Sequence, residues 1–440
     1  GVLEMTVALG APKATRRERW AWYMYDFGNS AYAAVVLLAV YSAYFKGAVV
    51  GGARGSALWG LAVGIAMLVV AVTAPILGAA ADFSGSKKRF LLFYTAMACL
   101  FTALLFFVQE GNIVMGMLLF ILAEVGYRSA QVFYNSLLPE IADQEDIGRV
   151  SGNGWAVGSA GGIICLVLVL ALITLFEGPL TVRLSLVFTA VYFAASSIPL
   201  FLWLRERGDA QRLPKGESYI SIALRRIGET FRAVRNFREF VKFSIAFLIY
   251  NDGILMTMNF ASILGAVLYG MDQQELIIFM ILVQATSVAG AYVFGQVTDR
   301  TGGRRALVVS LLLMVAAIVW MYLNESLTVF YVIGALAGFA LTGVQSVSRS
   351  MVGLLSPEGK SAEFYGFFAV TGRTSSFIGP TIYGWLAAAA AGWYEAAGHS
   401  VVIAEQLGLR LALLSIVVFL VAGLAMLLTV KETKAKPSAA

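Results

Sequence analysis

The chain has few charged residues, a single histidine and two cysteines. Only 13% of its 440 residues are charged, whereas a soluble globular domain carries about 25%. His399 is the only histidine, which excludes His-rich metal sites and Ser-His or Cys-His triads. Cys99 and Cys165 both lie in apolar runs, so the sequence predicts no disulfide framework. So few charged residues cannot cover the surface of a protein of this size in water, so most of that surface must face lipid.

Sequence signals of soluble nucleotide-dependent enzymes are also missing. The chain has no Gly-x-x-x-x-Gly-Lys-Ser/Thr loop, so ATP is not expected to drive the protein directly. Gly152-Asn153-Gly154 opens a predicted helix with no strand before it, which excludes a dinucleotide fingerprint. We therefore expect neither an enzyme nor a nucleic-acid-binding protein, and we expect no cofactor and no metal.

Long apolar runs dominate the sequence. Hydrophobic residues make up 59% of the chain, and the mean hydropathy is +0.80. Because a helix needs about 20 apolar residues to cross a bilayer, these runs predict an all-α membrane protein with twelve transmembrane helices. The expected spans are Trp20–Phe45, Ala57–Ala81, Phe90–Val108, Val114–Leu138, Ser151–Phe176, Val182–Leu204, Val241–Leu268, Glu275–Thr298, Ala306–Leu323, Val329–Leu355, Glu363–Ala391 and Gly408–Val430. The eleventh span is long and contains Gly379-Pro380, where a kink or tilt is expected.

Positive charge is concentrated on one side of the predicted helices. The main groups among the 32 lysines and arginines fall before residue 20, at 87–89, within 205–242 and after residue 430. Basic loops of membrane proteins stay in the cytoplasm. The sequence therefore predicts that both termini are cytoplasmic, and we expect the protein in the cell membrane.

Motifs in the first half of the chain recur in the second half. A glycine-aspartate motif closes the second and eighth predicted helices, and 217 residues separate Asp82 from Asp299. A Pro-Glu pair ends the fourth and tenth helices, with Glu140 and Glu358 218 residues apart. These repeats predict two pseudo-symmetric six-helix bundles. The expected divisions are a cytoplasmic segment 1–19, a bundle 20–204, a linker 205–240, a bundle 241–430 and a cytoplasmic tail 431–440.

The linker contains a predicted amphipathic helix. Ile220, Leu224, Ile227, Phe231 and Val234 recur at steps of three and four residues, and arginines occupy the other faces. This pattern is typical of a helix that lies on the cytoplasmic leaflet. A solvated linker helix without a regulatory role fits the same charge pattern.

The repeated motif and several shorter ones resemble a known family. The copy around Asp299 resembles the signature of the major facilitator superfamily, and the copy around Asp82 departs from it because Phe83 stands where arginine is usual. Other motifs resemble the vacuole-effluxer branch, whose fungal members are autophagy-related exporters of amino acids from the vacuole. These motifs are Tyr25-Asp26-Phe27-Gly28-Asn29-Ser30-Ala31-Tyr32, Tyr250-Asn251-Asp252-Gly253, Ser348-Arg349-Ser350, Glu363-Phe364-Tyr365-Gly366-Phe367, Arg373-Thr374-Ser375-Ser376-Phe377 and Gly379-Pro380. The resemblance implies a secondary transporter that works by alternating access, and members of the superfamily usually work as monomers.

The same resemblance implies a gate on the cytoplasmic side. In the superfamily each motif aspartate approaches a helix N-terminus of the opposite half, which would place Asp82 near Gly366 and Asp299 near Gly152. Glu140 could pair with the basic residues that follow the first motif. The expected gate residues are Gly78, Asp82, Gly85, Lys88, Arg89, Glu140, Arg149, Gly295, Asp299, Arg300, Gly302, Arg304, Arg305 and Glu358. The alternative is that these residues only hold the loops in place and set the orientation in the membrane, without a switching role.

Several charged side chains are predicted at membrane depth, where each costs about 2.5–3.5 kcal/mol on insertion. Glu124 and Arg128 share one helix face at spacing i, i+4, either as a self-satisfied pair or as a pair that opens when substrate arrives. Asp252 has no cation within one turn, so it must find a partner on another helix, accept hydrogen bonds or stay protonated. Arg373 needs an anion, which is a substrate carboxylate or one of these acids. Asp26 lies shallower, with a structural or a proton-handling role.

These residues predict a substrate cavity between the two halves. The expected cavity residues are Glu124, Arg128, Asp252, Arg373, Tyr250, Asn251, Gln284 and Gln345, with Trp155 as a further candidate, and the candidates for proton coupling are Asp252, Glu124 and Asp26. A cavity with a carboxylate and a guanidinium suits a zwitterion, so the predicted function is proton-linked transport of amino acids or similar small molecules. An apolar cavity open sideways to lipid would instead favour an exporter of amphipathic compounds or lysolipids. A non-transporting receptor or scaffold would have no enclosed cavity.

Overall fold

The fold is helical throughout the part of the chain that can be described. The computed structural model describes residues 14–83, 86–142, 147–176, 178–207, 216, 218–355, 367–368, 371–372 and 376–431. Within these ranges there is no β-strand. In these ranges the helices of the bundle are α1 Arg16–Tyr32, α2 Gly52–Phe83, α3 Lys87–Leu104, α4 Ile113–Ser136, α5 Ile147–Leu175, α6 Pro179–Trp203, α7 Arg238–Tyr269, α8 Gln273–Thr301, α9 Gly303–Leu323, α10 Leu327–Leu355, α11 Ile378–Ala396 and α12 Val401–Leu428. The linker helix, Tyr219–Arg235, connects α6 to α7.

The first helix begins with a capping box and continues well beyond α1. Thr15 Oγ1 accepts a hydrogen bond from the Glu18 backbone N–H at 3.3 Å, and the Glu18 carboxylate accepts the Thr15 N–H at 2.8 Å. This reciprocal pair satisfies backbone donors that have no partner in the first turn. The chain then continues through π-helical turns at Ala33–Ala39 and Phe45–Val50. It leaves the helix at Gly51, where φ is +78°, a conformation that favours glycine.

The observed helices overlap the predicted spans, and the eleventh is interrupted by a turn. Eleven helices in the described ranges are long and apolar enough to cross a membrane, and each overlaps a predicted span, although the last begins at Val401 instead of Gly408. The eleventh span was expected over 363–391. Its described residues 367–368 and 371–372 are helical, residues 376–377 form a turn, and α11 then runs Ile378–Ala396. Pro380 therefore lies in the first turn of α11, where its missing N–H costs no helical hydrogen bond. The turn lies directly before Gly379-Pro380, where a kink or tilt was expected.

Packing within the two halves follows the same plan. In the first half α1 packs against α5 and α6, α3 packs against α4 and α6, and α2 packs against α4. The contacts of α7 with α11 and α12, of α9 with α10 and α12, and of α8 with α10 repeat this pattern six helices later. Two pseudo-symmetric six-helix bundles result. They meet mainly where α2 contacts α11 and where α5 contacts α8.

Glycines bring α2 and α11 into backbone contact across the two halves. A Cβ atom on Gly60 would lie 2.4 Å from the Pro380 carbonyl oxygen, and one on Gly384 would lie 2.5 Å from the Ser56 carbonyl oxygen. Both oxygens belong to the backbone and cannot swing aside. Small residues allow such close approach between membrane helices, so these positions fix where the halves touch.

Gly290 offers a test of the packing between α8 and α10. An added Cβ would lie 2.2 Å from the Phe339 carbonyl oxygen, so Gly290→Ala must push the two helices apart. Overpacking of this kind costs about 1–3 kcal/mol, and we expect a lower Tm in detergent. Gly295→Ala on the same helix is the matched control, because nothing lies within 4 Å of its added Cβ. Equal stability of the two variants would contradict the described contact.

Candidate functional site

One end of the helical bundle is closed by contacts between the halves. We call the end where α1 begins and α12 ends the basic face, after the lysines and arginines at 87–89 and 300–305, and the other end the opposite face. At the opposite face Lys46 forms an ion pair with Glu405, and both side chains are nearly buried. This ion pair joins a residue of the first half to one of the second, so it holds the halves together at this end.

Two further hydrogen bonds join the halves on the way to the opposite face. Trp59 Nε1 donates to the Asn259 carbonyl at 2.8 Å, and Gln273 Nε2 donates to the Ala39 carbonyl at 2.8 Å. Trp59 is fully buried. Since both acceptors are backbone carbonyls, these bonds depend on the position of whole helices rather than on one rotamer.

A cavity of about 590 Å³ lies between the halves and opens toward the basic face. Residues of α1, α4 and α5 line it from one half, and residues of α7, α8, α9 and α10 line it from the other. Trp155 at its basic-face end is 40% exposed, and Asn135 and Arg349 are also exposed there. The cavity is therefore reached from the basic face while the opposite face is shut.

Arg128 presents a guanidinium to the cavity with its counter-ion behind it. Arg128 Nε lies 2.8 Å from Glu124 Oε1, and its guanidinium stacks over the Tyr127 ring at 5.2 Å. Arg128 and Tyr127 line the cavity. Glu124 is 0% exposed and lies behind the cavity wall, where Tyr32 faces it. The pair forms as the i, i+4 spacing predicts, and the cation alone reaches the cavity.

Opposite charges from the two halves line the cavity near its entrance. Asp26 on α1 and Arg349 on α10 both line the cavity, and the positive charge of Arg349 acts on the Asp26 carboxylate from a distance, without an ion-pair contact between the two. Asp26 also accepts a long hydrogen bond, 3.4 Å, from Asn29 Nδ2. Its carboxylate packs onto Gly158 of α5, where an added Cβ would lie 2.7 Å from Asp26 Oδ2. Arg349 was not among the predicted site residues, although its position in the Ser348-Arg349-Ser350 motif within a span was a usable signal.

The Tyr250-Asn251-Asp252 motif on α7 divides between the cavity and the packing around α11. Asn251 lines the cavity, and its Nδ2 lies 3.5 Å from the Gly372 carbonyl. Asp252 is 3% exposed and lies outside the cavity wall, where it packs against Gly379 at the start of α11. Tyr250 is buried, and its hydroxyl lies 2.7 Å from Ser348 Oγ. Of these three predicted cavity residues, only Asn251 reaches the cavity.

The two predicted glutamines do line the cavity. Gln284 of α8 lies at the contact with α5, where an added Cβ on Gly162 would be 3.5 Å from its Nε2. Gln345 of α10 directs its Nε2 toward Met258 Sδ at 3.8 Å. Trp155 joins them from the first half. Arg373 lies outside the described residues, so its expected anion partner is not described.

The expected gate residues are described only in part. Gly85 and Glu358 lie outside the described residues, as do the side chains of Asp82, Arg149 and Asp299. The expected contacts of the two motif aspartates therefore also fall outside the described part. Among the others, Gly78 and Gly295 leave open space beside them, Gly302 ends α8 at φ +93°, and Arg89, Arg300 and Arg305 are exposed.

Each contact described here for a gate residue at the basic face joins residues of the same half. Lys87 Nζ lies 2.6 Å from Glu140 Oε1, and Lys88 Nζ donates to the Leu204 carbonyl at 2.7 Å. Arg207 extends this network, because its backbone N–H donates to Glu140 at 2.7 Å. In the other half Arg304 donates to the Leu428 carbonyl at 2.8 Å. These bonds fasten helix ends inside each half, and none of the bonds named here, all between described residues, joins the two halves at this face.

Solved structures with the same fold are transporters. A bacterial homolog of the human lysosomal transporter Spinster, in an inward-facing and unoccupied conformation, matches with a TM-score of 0.70 and 16% identity, over 95% of this chain and 98% of that one. The nucleoside transporter NupG matches with a TM-score of 0.68 and 14% identity, over 93% of this chain and 98% of that one. At these identities the likeness concerns the fold.

Sequence relatives are more specific. The MFS-type transporter YxiO of Bacillus subtilis is 28% identical over 379 residues, which cover 84% of this chain and 87% of YxiO. Autophagy-related protein 22 of Yarrowia lipolytica is 29% identical over 268 residues, or 54% of this chain and 45% of the fungal protein. The family model described as vacuole effluxer Atg22 like matches residues 53–440. This chain therefore belongs to the Atg22-like vacuole effluxer family and is a multi-pass membrane transporter of the major facilitator superfamily.

Proposed function

We propose that the protein moves amino acids or similar small zwitterions, linked to protons, by alternating exposure of the central cavity. The observation that carries this proposal is the pair of opposite charges on the cavity wall, Asp26 on one half and Arg349 on the other. A carboxylate binds an ammonium group, and a guanidinium binds a carboxylate in bidentate fashion. A zwitterion offers both groups on one small molecule.

Placement of the two charges on different halves gives the substrate a means of acting on the conformation. A ligand shifts an equilibrium only by its differential affinity for the two states. A zwitterion that contacts both Asp26 and Arg349 binds most tightly when the halves approach each other at the basic face. Substrate binding then favours closure of the basic face, and the opposite face can open.

Asp26 is the carboxylate best placed to carry the coupled proton. It lines the cavity, and the charge of Arg349 on the other half acts on it. When the halves separate, the carboxylate loses part of this stabilisation, and an isolated charge at membrane depth is costly. Asp252, by contrast, packs against Gly379 inside one half, which supports a structural role at the start of α11. Glu124 stays paired with Arg128.

The distribution of positive charge supports a cytoplasmic basic face. Lys87, Arg89, Arg300 and Arg305 all lie at that end of the bundle, and basic loops are retained in the cytoplasm. With this orientation the cavity is open to the cytoplasm. We further propose that the protein resides in the cell membrane and works as a monomer, as members of the superfamily usually do.

A second candidate substrate class is amphipathic. The part of the cavity farthest from the basic face carries apolar side chains, among them Met258, Met280, Phe279, Phe330 and Leu341. An apolar tail would fit beside these residues while a charged head meets Asp26 and Arg349. Lysophospholipids are therefore the ligands to compare with amino acids in binding experiments.

The role of Arg349 in substrate binding can be tested by the Tm of the protein. Zwitterionic amino acids should raise the Tm of the purified protein in proportion to their binding. We expect Arg349→Gln to weaken the binding by about tenfold to a hundredfold, the range for a lost charged hydrogen bond. Arg305→Gln is the control, because Arg305 is exposed outside the cavity. Stabilisation by lysophospholipid but by no amino acid would favour the amphipathic candidate.

The second prediction separates the two candidate proton carriers. Asp26→Asn should abolish the response of uptake into proteoliposomes to an imposed pH gradient, while exchange of substrate without a gradient continues. Asp252→Asn should keep the gradient response, because an asparagine of nearly the same shape keeps the packing against Gly379. Loss of the response only in Asp252→Asn would assign the proton to Asp252 instead.

The third prediction concerns the ion pair at the opposite face. Glu405→Gln leaves Lys46 without its counter-charge, so the closed opposite face becomes less stable. With Cys99 and Cys165 replaced by alanine, Ala261→Cys reports on the cavity lining. We expect Glu405→Gln to raise its labelling by an impermeant thiol reagent from the opposite face several-fold. Glu395 is an exposed glutamate at that face, so Glu395→Gln should have no effect. Equal labelling in the two variants would contradict a role of the Lys46–Glu405 ion pair in closing this face.

A further inference from the structure

The linker helix carries an exposed apolar stripe that no described residue covers. Ile220, Leu224 and Phe231 are 54%, 65% and 57% exposed. Their spacing of four and seven residues places them on one face of the helix. Large apolar side chains gathered on one exposed face mark an interaction surface.

A different face of the same helix is docked on the transmembrane bundle. Ile222 and Ala223 are buried against Ala79, and Ile76 packs beside them. The helix therefore has a fixed orientation, and the apolar stripe points away from this docked face. The linker helix is held by the bundle rather than suspended in solvent.

The docking position sets the depth of the linker helix. Ala79 and Ile76 lie four and seven residues before the end of α2, or about 6 and 10 Å along its axis at 1.5 Å per residue. Amphipathic surface helices bury their apolar face about 5–10 Å into the boundary between headgroups and acyl chains. Docking at this level places the apolar stripe where acyl chains begin.

Exposed tryptophans mark the same level independently. Trp20 lies four residues after the start of α1 and is 47% exposed, and Trp203 ends α6 and is 38% exposed. Tryptophan is enriched at the interface between membrane and water. Both residues lie at the basic face, where the linker helix docks.

Arginines flank the stripe on the side away from the docked face. Arg225, Arg232 and Arg235 are exposed, at steps of seven and three residues that keep them close together on the helix surface. Glu229 lies 3.7 Å from Arg225, which leaves a net positive charge on this side. Guanidinium groups match phosphate in bidentate fashion, and basic residues beside an apolar stripe attract anionic lipid.

We propose that the linker helix lies in the bilayer interface at the basic face and binds anionic phospholipid. In this arrangement Ile220, Leu224 and Phe231 enter the acyl layer, and the three arginines hold headgroup phosphates. Since the helix docks on α2 of the first half and is joined to α7 of the second by only Asn236 and Phe237, a lipid-held helix connects the two halves at the membrane surface.

Depth measurements test the position of the helix. In a protein with Cys99→Ala and Cys165→Ala, a spin label is attached at Leu224→Cys, Phe231→Cys or Ser221→Cys and measured in proteoliposomes. We expect labels at 224 and 231 to collide with oxygen and to be shielded from a soluble nickel chelate, and the label at 221 to show the reverse. Chelate access at 224 equal to that at 221 would mean a solvated linker, and shielding at 224 from both reagents would mean a protein cover. Either result overturns the proposal.

Lipid selectivity tests the role of the arginines. We expect phosphatidylglycerol to co-purify in excess over phosphatidylcholine from mixed vesicles, and the combined Arg225→Gln, Arg232→Gln and Arg235→Gln variant to lose this excess several-fold. Lysine at the same three positions should retain most of it, and Arg300→Gln with Arg305→Gln, which removes exposed charge elsewhere on the basic face, should retain it fully. An unchanged excess in the triple glutamine variant, with an unchanged Tm, would overturn lipid binding by these arginines.

Discussion

A charge within the hydrocarbon layer must have a partner, and in this protein the partner lies either on the same helix or on the other half. Glu124 and Arg128 pair within one helix, so their bond does not depend on how the two halves are arranged. Lys46 pairs with Glu405 across the halves at the opposite face, and Asp26 and Arg349 line the cavity from different halves. In the proposed alternation of the halves, the Lys46–Glu405 pair must break and the distance between Asp26 and Arg349 must change. Among the described charges, the cost of an unpaired charge therefore acts on the proposed alternation through these two cross-half pairs.

Much of the architecture follows from the sequence, because hydropathy and motif repeats are properties of single segments. The spans, the two halves and the linker helix could be predicted, and so could the i, i+4 pair of Glu124 and Arg128. The direction in which a residue faces could not, because a helix inside a bundle is apolar on all sides and offers no periodic signal. Tyr250 and Asp252 therefore lie behind the cavity wall although the motif suggested a lining role. The role of Arg349 depends on a neighbour from the other half, which no local pattern reveals.

The turn before α11 lies beside the α7 motif. Asn251 Nδ2 lies 3.5 Å from the Gly372 carbonyl, and Gly379 packs so closely on α7 that an added Cβ would lie 2.8 Å from the Asp252 carbonyl oxygen. One residue of the motif thus contacts the chain before the turn, and the next contacts the start of α11 after it. An interrupted helix inside a membrane needs polar groups of neighbouring helices close to it.

The π-helical turns of the first helix connect the two ends of the molecule. Ala39 ends the first of these turns, and its carbonyl accepts the amide of Gln273 from the other half. A π turn winds the chain differently from an α turn, so its loss would rotate the preceding residues about the helix axis. Asp26 lies thirteen residues earlier on the same continuous helix. The hydrogen bond from Gln273 of the other half therefore holds the end of this π-helical turn, on the same helix that presents Asp26 to the cavity.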